Sequence, residues 1–325
     1  MTLRLDAHSD ADLDRAAALL RDGGRVAFPT ETVYGLGADG LDGAAVARIF
    51  EAKGRPSDNP LILHVASFDE ARRLWDASAA ELDIAGRLTR AFWPGPLSIV
   101  LPAASQIPEE VTTGLATVAV RAPDHPTARA LIERTGRPLA APSANLSGRP
   151  SPTTAEHVLR TLDGRIEAVL DGGPTRVGLE STVIDLRDGK ARLLREGGIT
   201  AEEIAAVTDA EVSCADEDVA RAPGMRHRHY APAGIATRVA EPAELADLWG
   251  DDVAVLCRVA LARERGPREA PLETLPNDPE GYARGLYAAL YRLESSGAAT
   301  LLIEALPDED AWSAVRDRIR RAAAG

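Results

Sequence analysis

The sequence predicts an α/β protein built as two domains. Helical and strand-like segments alternate along almost the whole chain, and 325 residues suffice for two hydrophobic cores. Between them, residues 208–234 show neither period, and the alternation then restarts. The expected division is a first domain over 1–207, a linker over 208–234 and a second, smaller domain over 235–325.

Residues 10–22 carry apolar side chains at helical spacing and end at Gly23-Gly24, and "RVAF" reads as a short strand. A helix over 43–52 starts behind Asp42, a suitable N-cap. Strand 61–66 and helices 68–75 and 79–92 follow. "LSIVLPA" and "TVAVRAP" read as strands, then 126–135 as a helix, and "PLAAPSAN" ends a strand in a polar turn. Thr153 with Glu156 has the spacing of a capping box, as does Thr200 with Glu203. Between those two helices, 166–171, 181–186 and 191–195 are strands. Beyond the linker come strand 235–240, helix 242–249, strand 253–258, helix 279–295, strand 300–306 and helix 311–323. Such βα units argue for a small parallel sheet with covering helices.

Composition narrows the function classes. Apolar content of 45% and charged content of 27% are ordinary for a globular protein, and no apolar run approaches a membrane span. The start "MTLRLDAHSD" lacks the plan of a secretory signal, so a cytoplasmic location is expected. Cys214 and Cys257 alone support neither a disulfide framework nor a cysteine zinc site. A net charge of −13 disfavours a broad nucleic-acid surface. Of 37 basic residues only Lys53 and Lys190 are lysines, a mild sign that a compact ammonium is needed at those points.

Several stretches break the rules of their elements. "FPTETVYGLG" (28–37) starts as a strand, loses a backbone donor at Pro29, and continues with hydroxyls, a carboxylate and two glycines. Within it "GLGADG" matches G-x-G-x-x-G, but a polar segment precedes it and the next strand lacks the acid of a dinucleotide site. No P-loop sequence occurs. "KGRPSDNPL" (53–61) puts Lys53 and Arg55 around a glycine after a helix: a polyphosphate clamp or, more commonly, a solvated helix end. "APSANLSGRPSPTT" (141–154) and "ESTVID" (180–185) present hydroxyls and amides beside strands, fit for a ligand or a plain turn. Arg121 and Arg195 stand at strand ends, where α/β folds hold ligands. "HRHY" (227–230) offers two imidazoles without a third metal ligand.

Together, "FPTETVYGLG", "KGRPSDNPL", "FWPGPLS", "VAVRAP", "APSANLSGRPSPTTAEHV", "ESTVID", "REG" and "PGMRHRHYAP" resemble, in order, the threonylcarbamoyl-AMP synthases in their two-domain form. The resemblance implies a YrdC-like catalytic domain, three-layered around a twisted mixed sheet, and a Rossmann-like C-terminal domain. It implies condensation of L-threonine, bicarbonate and ATP, with Mg²⁺, to threonylcarbamoyl-AMP and pyrophosphate. A downstream transferase would then modify the adenosine beside the tRNA anticodon. By the same resemblance Thr30, His64, Arg121, Ala141 and Ser181 would contact L-threonine. Lys53, Ser57, Thr117, Ser143, Ser151, Arg195 and Tyr230 would contact ATP, and Arg55 and Asn145 complete the KxR and SxN pairs. Lys53 and Arg55 are the catalytic candidates. Ala141 offers only backbone and a methyl.

Two other readings compete. A carbamoyl-phosphate-dependent carbamoyltransferase would be a far longer, Cys-rich chain, and an RNA-binding module conflicts with the net charge. The linker's Arg226, His227, Arg228, His229 and Tyr230 are too dense for a passive tether, so a lid over the first domain is expected.

Overall fold

In the computed structural model, which describes residues 1–209, 212–214, 230–248, 252–265 and 271–324, the first domain is organised by one mixed sheet. Its strands are β1 (Leu3–Asp6), β2 (Val26–Phe28), β3 (Gly35–Asp39), β4 (Ile62–His64), β5 (Leu97–Pro102), β6 (Thr117–Arg121), β7 (Leu139–Ala140), β8 (Ala168–Asp171), β9 (Thr182–Asp185), β10 (Arg192–Arg195) and β11 (Ser213–Cys214). Their order is β1-β8-β2-β3-β7-β4-β6-β5-β9-β10-β11.

The strands are buried on both faces, and their alternation divides two cores. Val26 and Phe28 enter one core while Ala27 enters the other; Ala168 and Leu170 flank Val169 in the same way. One face is covered by helices Asp10–Arg21 and Pro126–Thr135, the other by Gly43–Lys53, Ala79–Phe92, Ala155–Leu162 and Ala201–Thr208. The result is three layers. Helix Asp10–Arg21 illustrates the local logic: Ser9 accepts from the Asp12 amide as N-cap, and Leu13, Ala16, Ala17 and Leu20 form the buried stripe.

The second domain is a parallel sheet of β12 (Ala236–Ala240), β13 (Val253–Arg258), β14 (Leu272–Leu275) and β15 (Thr300–Glu304), in the order β12-β15-β13-β14. Ala254 and Leu256 face helices Pro279–Glu294 and Ser313–Ala323; Val255 and Cys257 face Pro242–Leu248 and Val259–Arg265. No helix among the described residues is long and apolar enough to cross a membrane.

Several expectations shift. "GLGADG" contributes strand β3, paired antiparallel to β2 and β7, and not a nucleotide loop. The N-cap before Ala155–Leu162 is Thr154, which accepts from the His157 amide, and not Thr153. Thr200 and Glu203 do form their capping box. Inside the expected linker, β11 adds a parallel edge strand beside β10. Strand β14 and helix Val259–Arg265 are additional to the βα units read from the sequence.

The two domains meet along helix Pro279–Glu294. Its Tyr291 hydroxyl donates to Pro150 O at 2.8 Å and its ring stacks on His157 at 4.2 Å between centroids. Arg149 pairs with Glu294, and Arg284 donates to Arg176 O at 2.9 Å. Gly178 is left-handed (φ 84°), and a Cβ there would lie 2.6 Å from Ala283 O and Arg284 Cα. Glycine is required at this contact both by conformation and by space.

Candidate active site

The opening stretch of hydroxyls builds its own turn first. Thr30 Oγ1 donates to Val33 O at 2.7 Å and accepts from the Thr32 and Val33 amides at 3.2 and 3.3 Å. The turn is then stitched to distant loops: Tyr34 N donates to Pro152 O, Leu36 N to Pro142 O, and Ala144 N to Tyr34 O, each at 2.8 Å. The last two bonds close an antiparallel bridge between Gly35 and Ser143, and both residues line a pocket.

That pocket, partly open to solvent, spans about 580 Å³ and lies against β4, β6, β7 and β10. Parallel pairing of β4 and β6 places His64 opposite Arg121. Thr30, His64, Arg121, Ala141 and Ser181 all line the cavity, as do Arg55, Ser143, Arg195 and Tyr230. Residues far apart in sequence therefore share one enclosure at strand ends.

Its charges are buried and individually braced. Arg121 donates to Gly95 O at 3.2 Å and to Thr32 Oγ1 at 3.0 Å, and its Nη2 lies 2.5 Å from Glu31 Oε1. Arg55 donates to Asn59 O and Pro60 O, both at 3.0 Å, and burial lowers its pKa to about 9. Arg195 donates to Ser181 O and to Ser181 Oγ, both at 3.0 Å, and burial depresses it too. Burial, then the Arg121 charge, drives His64 down to about 3, so its imidazole is neutral near pH 7. A cavity with three guanidinia, a neutral imidazole and hydroxyls suits an anionic, hydrogen-bonding ligand.

Five candidates are placed elsewhere. The Lys53 ammonium is 2% exposed and donates to Ser143 O and Asn145 O, both at 2.5 Å. Burial, then Arg55, pushes its pKa well below the ordinary value. Lys53 thus holds the loop that carries Ser143 and does not itself line the cavity. Asn145 donates to Leu146 O and Arg149 O, bracing the same loop. Ser151 donates to Glu180 Oε1 at 2.5 Å. Thr117 opens β6 and pairs with Pro102, four residues before Arg121 and so roughly 13 Å from that end of the strand. Ser57 is exposed in a separate groove with Phe50, Glu109 and Glu110. Arg226, His227, Arg228 and His229 lie outside the described residues.

Sequence reasoning passed over Glu31, Thr32 and Glu180. Glu31 and Thr32 sit inside "FPTETVYGLG", and Glu180 precedes Ser181, so each stood beside a residue already singled out. Glu180 lines the cavity and is buried. Burial raises its carboxyl, but Arg318, Arg195 and Ser151 outweigh burial and hold it below the usual range. Thr182 is structural: its hydroxyl donates to Ile199 O at 2.7 Å and accepts from the Ile199 amide.

Comparison with known proteins now bears on this arrangement. Residues 18–197 match the family described as "Telomere recombination", and residues 199–324 match the family "Threonylcarbamoyl-AMP synthase, C-terminal domain". The threonylcarbamoyl-AMP synthase of Pyrococcus abyssi is 44% identical over 322 residues, covering 94% of this chain and 92% of the relative. This chain belongs to the threonylcarbamoyl-AMP synthase family. The Bacillus subtilis synthase is likewise 44% identical, over 337 residues, covering 98% of this chain and 94% of the relative. A crystal structure described as P. abyssi Sua5 complexed with L-threonine superposes with a TM-score of 0.91 at 42% identity, covering 99% and 97% of the two chains. Both domains of this synthase family are therefore present, in the family's order.

Proposed function

We propose that this chain condenses L-threonine, bicarbonate and ATP to L-threonylcarbamoyl-AMP and pyrophosphate. The observation that carries the reading is the convergence of Arg55, Arg121 and Arg195 with Thr30, His64 and Ser181 on one buried cavity. In the reaction, threonine's amine adds to CO₂ derived from bicarbonate and releases a proton, giving a carbamate. A carbamate oxygen attacks the α-phosphorus, the bond from that phosphorus to the bridging oxygen breaks, and pyrophosphate leaves.

Arg121, fixed by Glu31 and Thr32, is suited to the threonine carboxylate and Ser181 to its hydroxyl, with Thr30 shaping the turn beside them. Arg55 and Arg195 are suited to the spreading phosphate charge, with Ser143 and Tyr230 completing the ATP wall. Lys53 and Asn145 act through the Ser143 loop, and Ser151 through Glu180. Substrates filling the pocket would also displace water from around a carbamate that is short-lived in solution. Mg²⁺ is taken to arrive on the ATP phosphates, as such ions bind chiefly through substrate oxygens and water. The product would pass, in the cytoplasm, to a transferase that modifies tRNA.

Pyrophosphate release with one component omitted at a time tests the reading. Release should require ATP, L-threonine, bicarbonate and Mg²⁺ together. Undiminished release without threonine would overturn it.

A further inference from the structure

Glu180 stands where the cavity, the catalytic domain and the C-terminal domain meet. Its carboxylate accepts from Ser151 Oγ at 2.5 Å on the catalytic side. From the C-terminal domain it accepts from the Tyr287 hydroxyl at 3.1 and 3.0 Å and from Arg318 Nε at 2.9 Å. Arg318 is 1% exposed and extends the bridge by donating from Nη2 to Glu196 O at 2.8 Å. The same two side chains also flank Tyr230: the Tyr287 ring lies 5.4 Å from it and the Arg318 guanidinium 5.7 Å.

Stability alone is a poor reason for this arrangement. A buried ion pair across an interface typically gains less than apolar packing of the same volume, because both charges lose their hydration. What the network does provide is geometry. Both oxygens of one carboxylate are fixed by three donors on two domains, and two cavity-lining residues, Glu180 and Tyr230, are held by Tyr287 and Arg318.

We propose that Glu180 is a positioning residue for the nucleotide side of the cavity, held by Tyr287 and Arg318, so that the C-terminal domain sets the ATP affinity of the catalytic domain. This rests on the assignment of ATP to the wall formed by Ser143, Arg195 and Tyr230. Threonine affinity should depend on it far less, because Thr30, His64 and Arg121 are braced within the catalytic domain by Val33, Ile62, Glu31 and Thr32.

The test uses the full-length chain and equilibrium binding of ATP and of L-threonine, with thermal melting and pyrophosphate release measured alongside. Tyr287→Phe keeps the ring against Tyr230 and removes one donor; Arg318→Lys keeps the charge and loses the planar fork. Each should weaken ATP binding about tenfold, the scale of a lost hydrogen bond to a charged group, and change threonine affinity less than about twofold. Tyr287→Phe combined with Ser151→Ala should weaken ATP binding less than the product of the two single effects. Folded Tyr287→Phe and Arg318→Lys variants that keep wild-type ATP affinity overturn the proposal, whether or not they melt earlier. Equal losses for ATP and threonine overturn it as well. Wild-type chain that binds ATP yet releases no pyrophosphate would sink the reading of the reaction while leaving this coupling measurable; wild-type chain that binds no ATP overturns both.

Discussion

Replacing Lys53 with methionine separates a loop-holding ammonium from one that waits in the cavity. Methionine fills nearly the same volume, so packing within helix Gly43–Lys53 is kept. What disappears is the pair of 2.5 Å bonds to Ser143 O and Asn145 O. The Asn145 carbonyl, left buried without this donor, costs about 1–3 kcal/mol, whereas Ser143 O keeps the Asn145 amide at 3.1 Å. Against that, the variant no longer buries an amine that is costly to desolvate, which returns part of the loss. The net expectation is a destabilisation of about 1–3 kcal/mol, or a fall in Tm of roughly 2–10 °C for a domain of this size. Activity should fall further than stability. The loop carrying Ser143 loses its anchor, and a displacement of about 1 Å in a positioning group can cost about 10²-fold in rate. Pyrophosphate release at saturating threonine should therefore drop by about 10²-fold in kcat/KM for ATP, at temperatures where the variant is fully folded. Lys53→Met with wild-type melting and wild-type kcat/KM would refute the account of this residue.

The pH dependence of stability has a definite sign at His64, whose pKa falls from 6.5 to about 3 through burial and Arg121. Between those values the unfolded chain takes up a proton that the folded chain does not, so this contribution is lost as pH falls, by up to about 1.4 kcal/mol per pH unit. Urea unfolding at pH 6 and pH 5 should show wild type losing about 1 kcal/mol more than His64→Gln, and parallel curves would contradict the burial of a neutral imidazole. Glu31→Gln removes the charge opposite Arg121 in a pair with both side chains buried. Its threonine KM should rise by at least about tenfold with ATP KM little changed, and unaltered threonine KM would remove Glu31 from the carboxylate clamp. Valine, which lacks the threonine hydroxyl, should be turned over about 10²- to 10⁴-fold less efficiently, since Ser181 would be left facing a methyl; comparable kcat/KM would show that the hydroxyl is not read.

How much of this was legible in the sequence depends on how far away each partner lies. Helix ends set by local chemistry, such as Asp42 and the Thr200–Glu203 box, read correctly. Thr153 and Thr154 are neighbours with the same capping chemistry, and only the loop's exit direction selects Thr154. Strand β3 was obscured by its glycines, whose reason is contact between elements: a Cβ on Gly37 would lie 2.8 Å from Phe28 Cε1, and one on Gly40 2.5 Å from Leu63 Cδ2. Residues at strand ends, such as His64, Arg121 and Arg195, were legible as site candidates because strand ends converge in such folds. Lys53 was singled out correctly as unusual, but its partners are carbonyls some 90 positions away, which no local pattern encodes. Glu180 with Arg318, 138 positions apart, was invisible for the same reason.

The most direct test of the central claim follows carbon from labelled bicarbonate. Wild-type chain supplied with ATP, Mg²⁺ and L-threonine should form an adenylate whose mass contains threonine, the labelled carbon and AMP, in step with pyrophosphate. Arg195→Gln and Arg121→Gln should each suppress the labelled product by more than about 10²-fold, because both substrates are assigned to one cavity. Label appearing in an adenylate without threonine, or pyrophosphate released with no labelled adenylate formed, would contradict the account.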